Sequence, residues 1–373
     1  MKIVGAVLEE SGRARPYARS RPITVTEVEL ADPGPTELLV RIEAAGVCHS
    51  DLSVVDGNRP RPTPMLLGHE AAGVVVGVGD AVGDIDPGQR VVMSFLPRCG
   101  QCPDCGEGGR LPCSIGSAAN TAGSLLGGRR LSVAGRPVHH HLGVSGFATH
   151  AVVDRASAAP VGPDIPPDVA AMLGCAVLTG GGAVLNVANP APTDSLMVVG
   201  LGGVGMAAVI TARALGVARV IAVDTAVDKL GQAAALGATE TYTAAQVAEL
   251  GIKARHVIEC AGHPRAFETA FGATAPGGST ITVGLPAAAA LAAISPLTVT
   301  AEARTVVGSY LGSSIPARDI PTYAQLWREG KLPVEKLISA RIRLDQINEA
   351  MDRLADGQAI RQVILFDQAA ALH

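Results

Sequence analysis

Ser195-Leu-Met-Val-Val-Gly-Leu-Gly-Gly-Val-Gly-Met206 decides how the rest of this chain is read. Leu196 to Val199 is a short apolar run with the β-branched content of a buried strand. It breaks into Gly200, Gly202 and Gly205, a G-x-G-x-x-G. An Ala-rich stretch of helical character, Val204 to Leu215, follows and stops at Gly216. A second apolar run, Val220 to Val223, ends on Asp224, 19 residues after Gly205. Strand, glycine turn, helix, strand and acid form the context that a dinucleotide fingerprint requires. The glycines permit a tight turn and close backbone approach to a pyrophosphate. The helix N-terminus offers backbone N–H groups to the phosphates. Asp224 is placed to accept hydrogen bonds from ribose hydroxyls.

The pattern continues beyond Asp224. Val227 to Leu236 reads as a helix, and His256 to Cys260, Gly278 to Gly284 and Thr305 to Tyr310 as buried strands. Helices are expected at Pro264 to Ala273, Ala317 to Glu329 and Leu344 to Ala355. Strands alternating with helices predict a doubly wound parallel sheet from about residue 194 to 310, within an α/β chain.

The chain has 373 residues, which favours two domains over one core. It is 48% apolar and 17% charged with a net charge of −4, which suits a globular protein and excludes a basic nucleic-acid footprint. No apolar run continues uninterrupted for the ~18 residues of a membrane span. The first ten residues read as a short strand and not a signal peptide, so a cytoplasmic chain is expected. Ala369 to His373 is bland and reads as a frayed end.

Before the glycine turn lies a β-rich segment with long loops. Strands are expected at Leu38 to Ala44, Gly73 to Val78, Arg90 to Ser94 and Phe147 to Val153. Seven cysteines, an odd number, argue against a disulfide framework. Four of them, Cys99, Cys102, Cys105 and Cys113, are spaced C-x2-C-x2-C-x7-C. Four thiolates in one loop can close a tetrahedron around zinc. An iron–sulfur cluster is the rival reading, with no further cysteine cluster to support it. Cys48 and His69, 21 residues apart, sit at strand or loop edges, and taken singly each is more often structural. Residues 114 to 145 read as irregular. His139-His-His141 is expected to point its rings to alternating sides, leaving His141 as a pocket wall. Cys175 stands in an apolar helix–turn setting, and Cys260, inside a strand, is read as packing.

Together, Gly46-Val-Cys-His-Ser-Asp51, Gly68-His-Glu70, the four-cysteine loop, Gly174 to Gly180, Gly200 to Gly205 and Ile360 to Phe366 fall in the order of one family. Along its whole length the chain resembles the zinc-dependent medium-chain alcohol dehydrogenases. The retained segment between Cys113 and His139 makes it most similar to the longer branch of liver-type and formaldehyde-oxidising enzymes. The resemblance implies a GroES-like zinc domain over 1–176 and 311–373, carrying the structural-zinc loop 99–113, and an NAD-binding Rossmann domain over 177–310. It implies two zinc ions per chain. Cys48, His69 and Cys175 would bind the catalytic one, and Cys99, Cys102, Cys105 and Cys113 the structural one. Glu70 and Asp51 match supporting carboxylates, with Asp51 accepting the free ring N–H of His69. Ser50 matches the hydroxyl that takes the alcohol proton. His49 and Arg361 match positions that grip the pyrophosphate. Thr179, Gly200, Gly202, Gly203, Val204, Gly205, Asp224 and Lys229 match other cofactor contacts.

The implied reaction is reversible oxidation of a primary or secondary alcohol to an aldehyde or ketone, by hydride transfer from a zinc-bound alkoxide to NAD. Asp224 would repel a 2′-phosphate and so favours NAD over NADP. One departure is Ser53, where the liver-type pattern has a His that ends the proton relay. Ser50, Phe95, His141, Leu142, Leu285 and Tyr310 fall near pocket-lining positions, and His141 replaces an aromatic common there. Ser50 is smaller than the Thr alternative, which predicts room for bulkier alcohols. A thiol-adduct, formaldehyde-type substrate is the runner-up, disfavoured because Ser53 to Pro64 carries Arg59 and Arg61. A non-catalytic nucleotide-binding relative is the alternative of another class. The expected partners are a small-molecule alcohol, aldehyde or ketone, with neither nucleic acid nor membrane. A homodimer joined through strands near 281–310 is expected, with a homotetramer as the other possibility.

Overall fold

The computed structural model describes residues 1–366. The expected fraying of Ala369 to His373 lies outside them. The chain divides into two compact units, each described by itself. The first holds Met1–Cys175, Ile315–Ala324 and the described residues from Ile338 on, and the second Ala176–Ser314 and Gln325–Leu337.

The first unit is β-rich. Strands Lys2–Leu8, Ile23–Leu30, Leu131–Val133, Arg136–His140 and Met65–Leu66 close into a barrel. Beside it, Ala158–Val161, Arg90–Met93, Ala71–Val78, Glu37–Val47, Arg361–Leu365 and Ile338–Ile342 pair in that order, and His150–Asp154 also joins Glu37–Val47. Glu37–Val47 is the hub. It pairs antiparallel with Ala71–Val78, His150–Asp154 and Arg361–Leu365, so it is buried along most of its length. Leu38, Val40, Ile42, Ala45 and Val47 belong to one core with Phe147, Met93 and Met351.

The second unit is a six-stranded parallel sheet in the order Glu240–Tyr242, Arg219–Val223, Ser195–Val199, Ala254–Glu259, Thr274–Thr282, Thr305–Gly308. In chain order that is 3-2-1-4-5-6, the order of dinucleotide-binding sheets. Its central strands are almost wholly apolar because helices cover both faces of such a sheet. The order reverses beside Ser195–Val199, and the glycine turn leaves its carboxyl end there.

Three features differ from the sequence expectation. Residues 114–145 are not irregular: they form helix Ser114–Ala122 and the hairpin of Leu131–Val133 with Arg136–His140. Gly123 ends that helix in the left-handed region at φ 65°, a stop signal visible in the sequence but outweighed by its Gly/Ser/Arg surroundings. Gln325–Leu337 groups with the second unit, where Val334–Leu337 packs on helix Gly203–Ala214. Finally, Pro167–Ala188 is one helical run of 22 residues, long and apolar enough by composition to cross a bilayer. Of its most apolar window, 94% is buried inside the protein, which makes it a core helix. Leu173–Val177 and Ala183–Ala188 within it are wound as π-helix.

Candidate active site

The strand Glu37–Val47 delivers Cys48, which caps helix His49–Val55. His69 follows Gly68, whose φ of +92° and near-contact with Phe147 leave no space for a side chain: a Cβ there would lie 2.5 Å from the Phe147 amide nitrogen. Cys175 sits in the π-turn Leu173–Val177, an irregularity common at functional sites. The three converge within the first unit. Ligand atoms of Cys48, His69, Glu70 and Cys175 all lie within 4.8 Å of one another, and all four residues are buried.

This donor set fits zinc. His69 Nε2 stands 3.5 Å from Cys175 Sγ. A nitrogen and a sulfur on one tetrahedral zinc are about 3.5 Å apart. Both carboxylate oxygens of the fully buried Glu70 lack a hydrogen-bond partner among the described residues, and a buried anion of that kind needs a cation nearby. Arg361 supplies one, with Nη1 at 3.4 Å from Glu70 Oε2. Contact with the Cys175 thiol holds Cys48 well below the ordinary thiol range. Burial opposes that shift and the charges of Arg361 and His69 add to it. The same contact, with burial, pushes Cys175 well up. Burial pushes Glu70 up to about 7, against the pull of Arg361.

Asp51 organises the His69 side of the cluster. Its Oδ1 lies 2.9 Å from His69 Nδ1, as expected, and its Oδ2 accepts the Cys48 backbone N–H at 2.9 Å. His69 Nε2 is thereby turned toward the thiols. Phe95 and His141 stand edge-on to the His69 ring, with centroids 5.8 and 5.4 Å away. Phe95, His141 and Leu142 are all buried, while Ser50 is half-buried and His49 exposed in the first turn of their helix. Ser53 Oγ donates to the His49 carbonyl at 2.8 Å.

The thiols of Cys99, Cys102, Cys105 and Cys113 lie within 4.8 Å of one another, and none is in a disulfide. Sγ–Sγ distances are 4.0 Å for Cys99–Cys105 and 3.8 Å for Cys102–Cys113, against about 3.8 Å for two thiolates on one tetrahedral zinc. Backbone N–H groups of Cys102 and Gly116 donate to the sulfur atoms of Cys99 and Cys113.

In the second unit, Gly205 packs so tightly that a Cβ would lie 2.0 Å from the Gly200 carbonyl oxygen. A Cβ on Gly202, the N-cap of helix Gly203–Ala214, meets nothing within 4 Å. That open space before a helix N-terminus fits a phosphate. Asp224 Oδ2 accepts the Leu201 N–H at 2.7 Å and Oδ1 the Ala226 N–H at 2.9 Å, so its carboxylate is fixed beside the glycine turn. Thr179 is buried, Lys229 and Tyr310 are half-buried and Leu285 is 49% exposed, all in this unit.

One residue near the site and one pairing escaped the sequence. Asn120, on helix Ser114–Ala122, donates from Nδ2 to the Phe95 carbonyl at 2.7 Å; recognising the Gly123 stop would have placed it on a helix. His141 Nδ1 lies 3.2 Å from Asp51 Oδ1, a pairing with no local sequence signal.

Fold and donor sets together define a zinc-binding dehydrogenase. Residues 34–163 match the model of the alcohol dehydrogenase GroES-like domain and residues 203–329 that of zinc-binding dehydrogenases. The chain is 38% identical over 356 residues to geraniol dehydrogenase of Castellaniella defragrans, covering 92% of this chain and 95% of that one. It is 33% identical to alcohol dehydrogenase B of Mycobacterium tuberculosis, covering 98% and 99%. Among solved structures, an alcohol dehydrogenase zinc-binding domain protein from Burkholderia ambifaria superposes with a TM-score of 0.91 at 30% identity, over 99% of this chain and all of the other. Benzyl alcohol dehydrogenase from Acinetobacter calcoaceticus superposes at 0.90 and 28% identity, over 98% of this chain and all of the other. The chain belongs to the zinc-dependent medium-chain alcohol dehydrogenases.

Proposed function

We propose that this protein catalyses the reversible, NAD-dependent oxidation of a primary or secondary alcohol with a bulky unsaturated or aromatic body. The observation that carries the reading is the buried donor set of Cys48, His69 and Cys175, with no ligand position lost. Those three residues would hold a catalytic zinc, and the four-cysteine loop a structural one. Bound zinc supplies charge that favours loss of the alcohol proton, and NAD supplies the hydride acceptor.

The chain's own residues do the rest. Asp51 orients His69 through Nδ1. Ser50 accepts the alcohol proton and hands it toward solvent. Gly200 to Gly205 cradle the pyrophosphate. Asp224 accepts from the ribose hydroxyls and disfavours a 2′-phosphate. Phe95, His141 and Leu142 of the first unit contact the alcohol. The substrate class is supported by two relatives whose names state geraniol and benzyl alcohol, and by the small Ser50 side chain. Helix Ser114–Ala122 and the hairpin after it support membership of the longer branch. The edge strand Thr305–Gly308, exposed at Thr305, Val306 and Gly308, supports a homodimer built through that edge.

A screen of primary, secondary, aromatic and terpenoid alcohols, followed by NADH absorbance, tests the reading. Aryl and terpenoid alcohols should show the highest kcat/KM. Preference for ethanol would overturn the substrate class, and turnover of none of them would overturn the activity.

A further inference from the structure

Asp51 is fully buried and faces two imidazoles, not one. Its Oδ1 is 2.9 Å from His69 Nδ1 and 3.2 Å from His141 Nδ1. His141 is itself 1% exposed, and among the described residues neither of its ring nitrogens has a well-aligned hydrogen-bond partner. A buried imidazole N–H left unmet is costly, and the Asp51 oxygen is the acceptor at hand. The His141 backbone is rigidly held. Its N–H donates to Ser145 Oγ at 3.0 Å, its carbonyl accepts from Val144 and Ser145, and Leu142 and Ser145 take positive φ to close the turn. Its ring stands edge-on to His69.

We propose that His141 is a positioning residue for the zinc ligand His69, acting through the carboxylate of Asp51 that the two rings share. Asp51 then has three nitrogens around it: the Cys48 backbone N–H donates to Oδ2, His69 Nδ1 is 2.9 Å from Oδ1, and His141 Nδ1 is 3.2 Å from the same oxygen. A carboxylate held in this way fixes the orientation and tautomer of the ligating imidazole, and groups of this kind influence metal retention strongly. The inference rests on the reading that Cys48, His69 and Cys175 hold zinc.

Zinc release from the purified holoenzyme into excess colorimetric chelator tests it. Three variants separate the two ring nitrogens. His141→Asn keeps a donor near the Nδ1 position, His141→Gln keeps a polar group near Nε2 only, and His141→Phe keeps neither. The expected result is one zinc released about 10-fold faster in His141→Phe and His141→Gln, with His141→Asn within about threefold of wild type. Release from the four-cysteine loop should be unchanged in all three and serves as the internal control. Wild-type release in His141→Phe, equal release in the Asn and Gln variants, or rescue by Gln but not Asn would each overturn the proposal. If His141→Phe does not fold, the Asn and Gln pair still decides. Wild-type enzyme holding only one zinc per chain would instead overturn the underlying zinc reading.

Discussion

Glu70 and Arg361 meet in the interior of the first unit, Oε2 to Nη1 at 3.4 Å, beside Cys48 and with both side chains at most 3% exposed. Glu70 comes from the loop before strand Ala71–Val78 and Arg361 opens strand Arg361–Leu365. Burial works against the Arg361 charge, and the anionic surroundings of Cys48, Glu70 and Cys175 more than restore it. Removing one member of a buried pair strands the other charge. Arg361→Met should therefore cost about 3–5 kcal/mol of stability. Urea unfolding of wild type and variant measures this, and a loss below about 1 kcal/mol would show that Glu70 finds another partner.

Cys175→Ser should remove one zinc and leave the fold intact, because the four-cysteine loop does not involve Cys175. Metal analysis is expected to fall from about two zinc atoms per chain to about one, with activity down more than about 100-fold, since loss of a supporting contact alone costs 10–100-fold. Circular dichroism should be unchanged. A variant that keeps both metals would remove Cys175 from the ligand set.

The proposed preference for NAD rests on Asp224. Its carboxylate is already fixed by Leu201 and Ala226 N–H groups, so it meets a ribose without reorganising. Asp224→Ala should lower kcat/KM with NAD about 10–100-fold, the worth of one or two hydrogen bonds to a charged acceptor. Efficiency with NADP should fall less or rise. An unchanged NAD-to-NADP ratio would make the assignment of Asp224 wrong.

Asp154 sets a pH dependence of stability away from the site. It is 2% exposed and accepts the Leu126 N–H at 2.8 Å through Oδ2. Burial pushes its carboxyl up to about 6, above its ordinary value near 3.9. A raised folded-state value means that ionisation opposes folding. The penalty is absent below about pH 4, grows as pH rises, and is complete above about pH 6 to 7. Asp154→Asn should therefore gain on wild type by about 2 kcal/mol between pH 4 and pH 8, whatever its fixed offset. Parallel stability curves for the two proteins across that range would refute the assignment.

Much of the second unit was legible because its signals are local. Gly200, Gly202 and Gly205 lie within six residues, Pro264–Ala273 forms the expected helix, and successive apolar runs became neighbouring parallel strands. The short strand Glu240–Tyr242 and helix Ala244–Glu249 were not foreseen. They are brief and half-exposed, so neither shows a strong hydrophobic period. The helix Ser114–Ala122 was hidden for a different reason. Its stability comes from packing around Cys113 and Asn120, both buried, and not from propensity.

The sequence by itself determined the parallel nucleotide-type sheet, the spacing of the four-cysteine loop and, through family resemblance, which residues to look for as a second donor set, Cys48, His69 and Cys175. These are questions of spacing along the chain, where a tight glycine turn or a C-x2-C run carries its own geometry. Only the tertiary structure decided that His69 and His141 both bring Nδ1 within 3.2 Å of one carboxylate oxygen of Asp51, and that Arg361 lies against Glu70. Those residues are separated by 18 to 291 positions. Their meeting depends on how strands pair around Glu37–Val47 and on the turn that follows His140. Burial then gives the contacts their strength, because charges and N–H groups withdrawn from water must find each other.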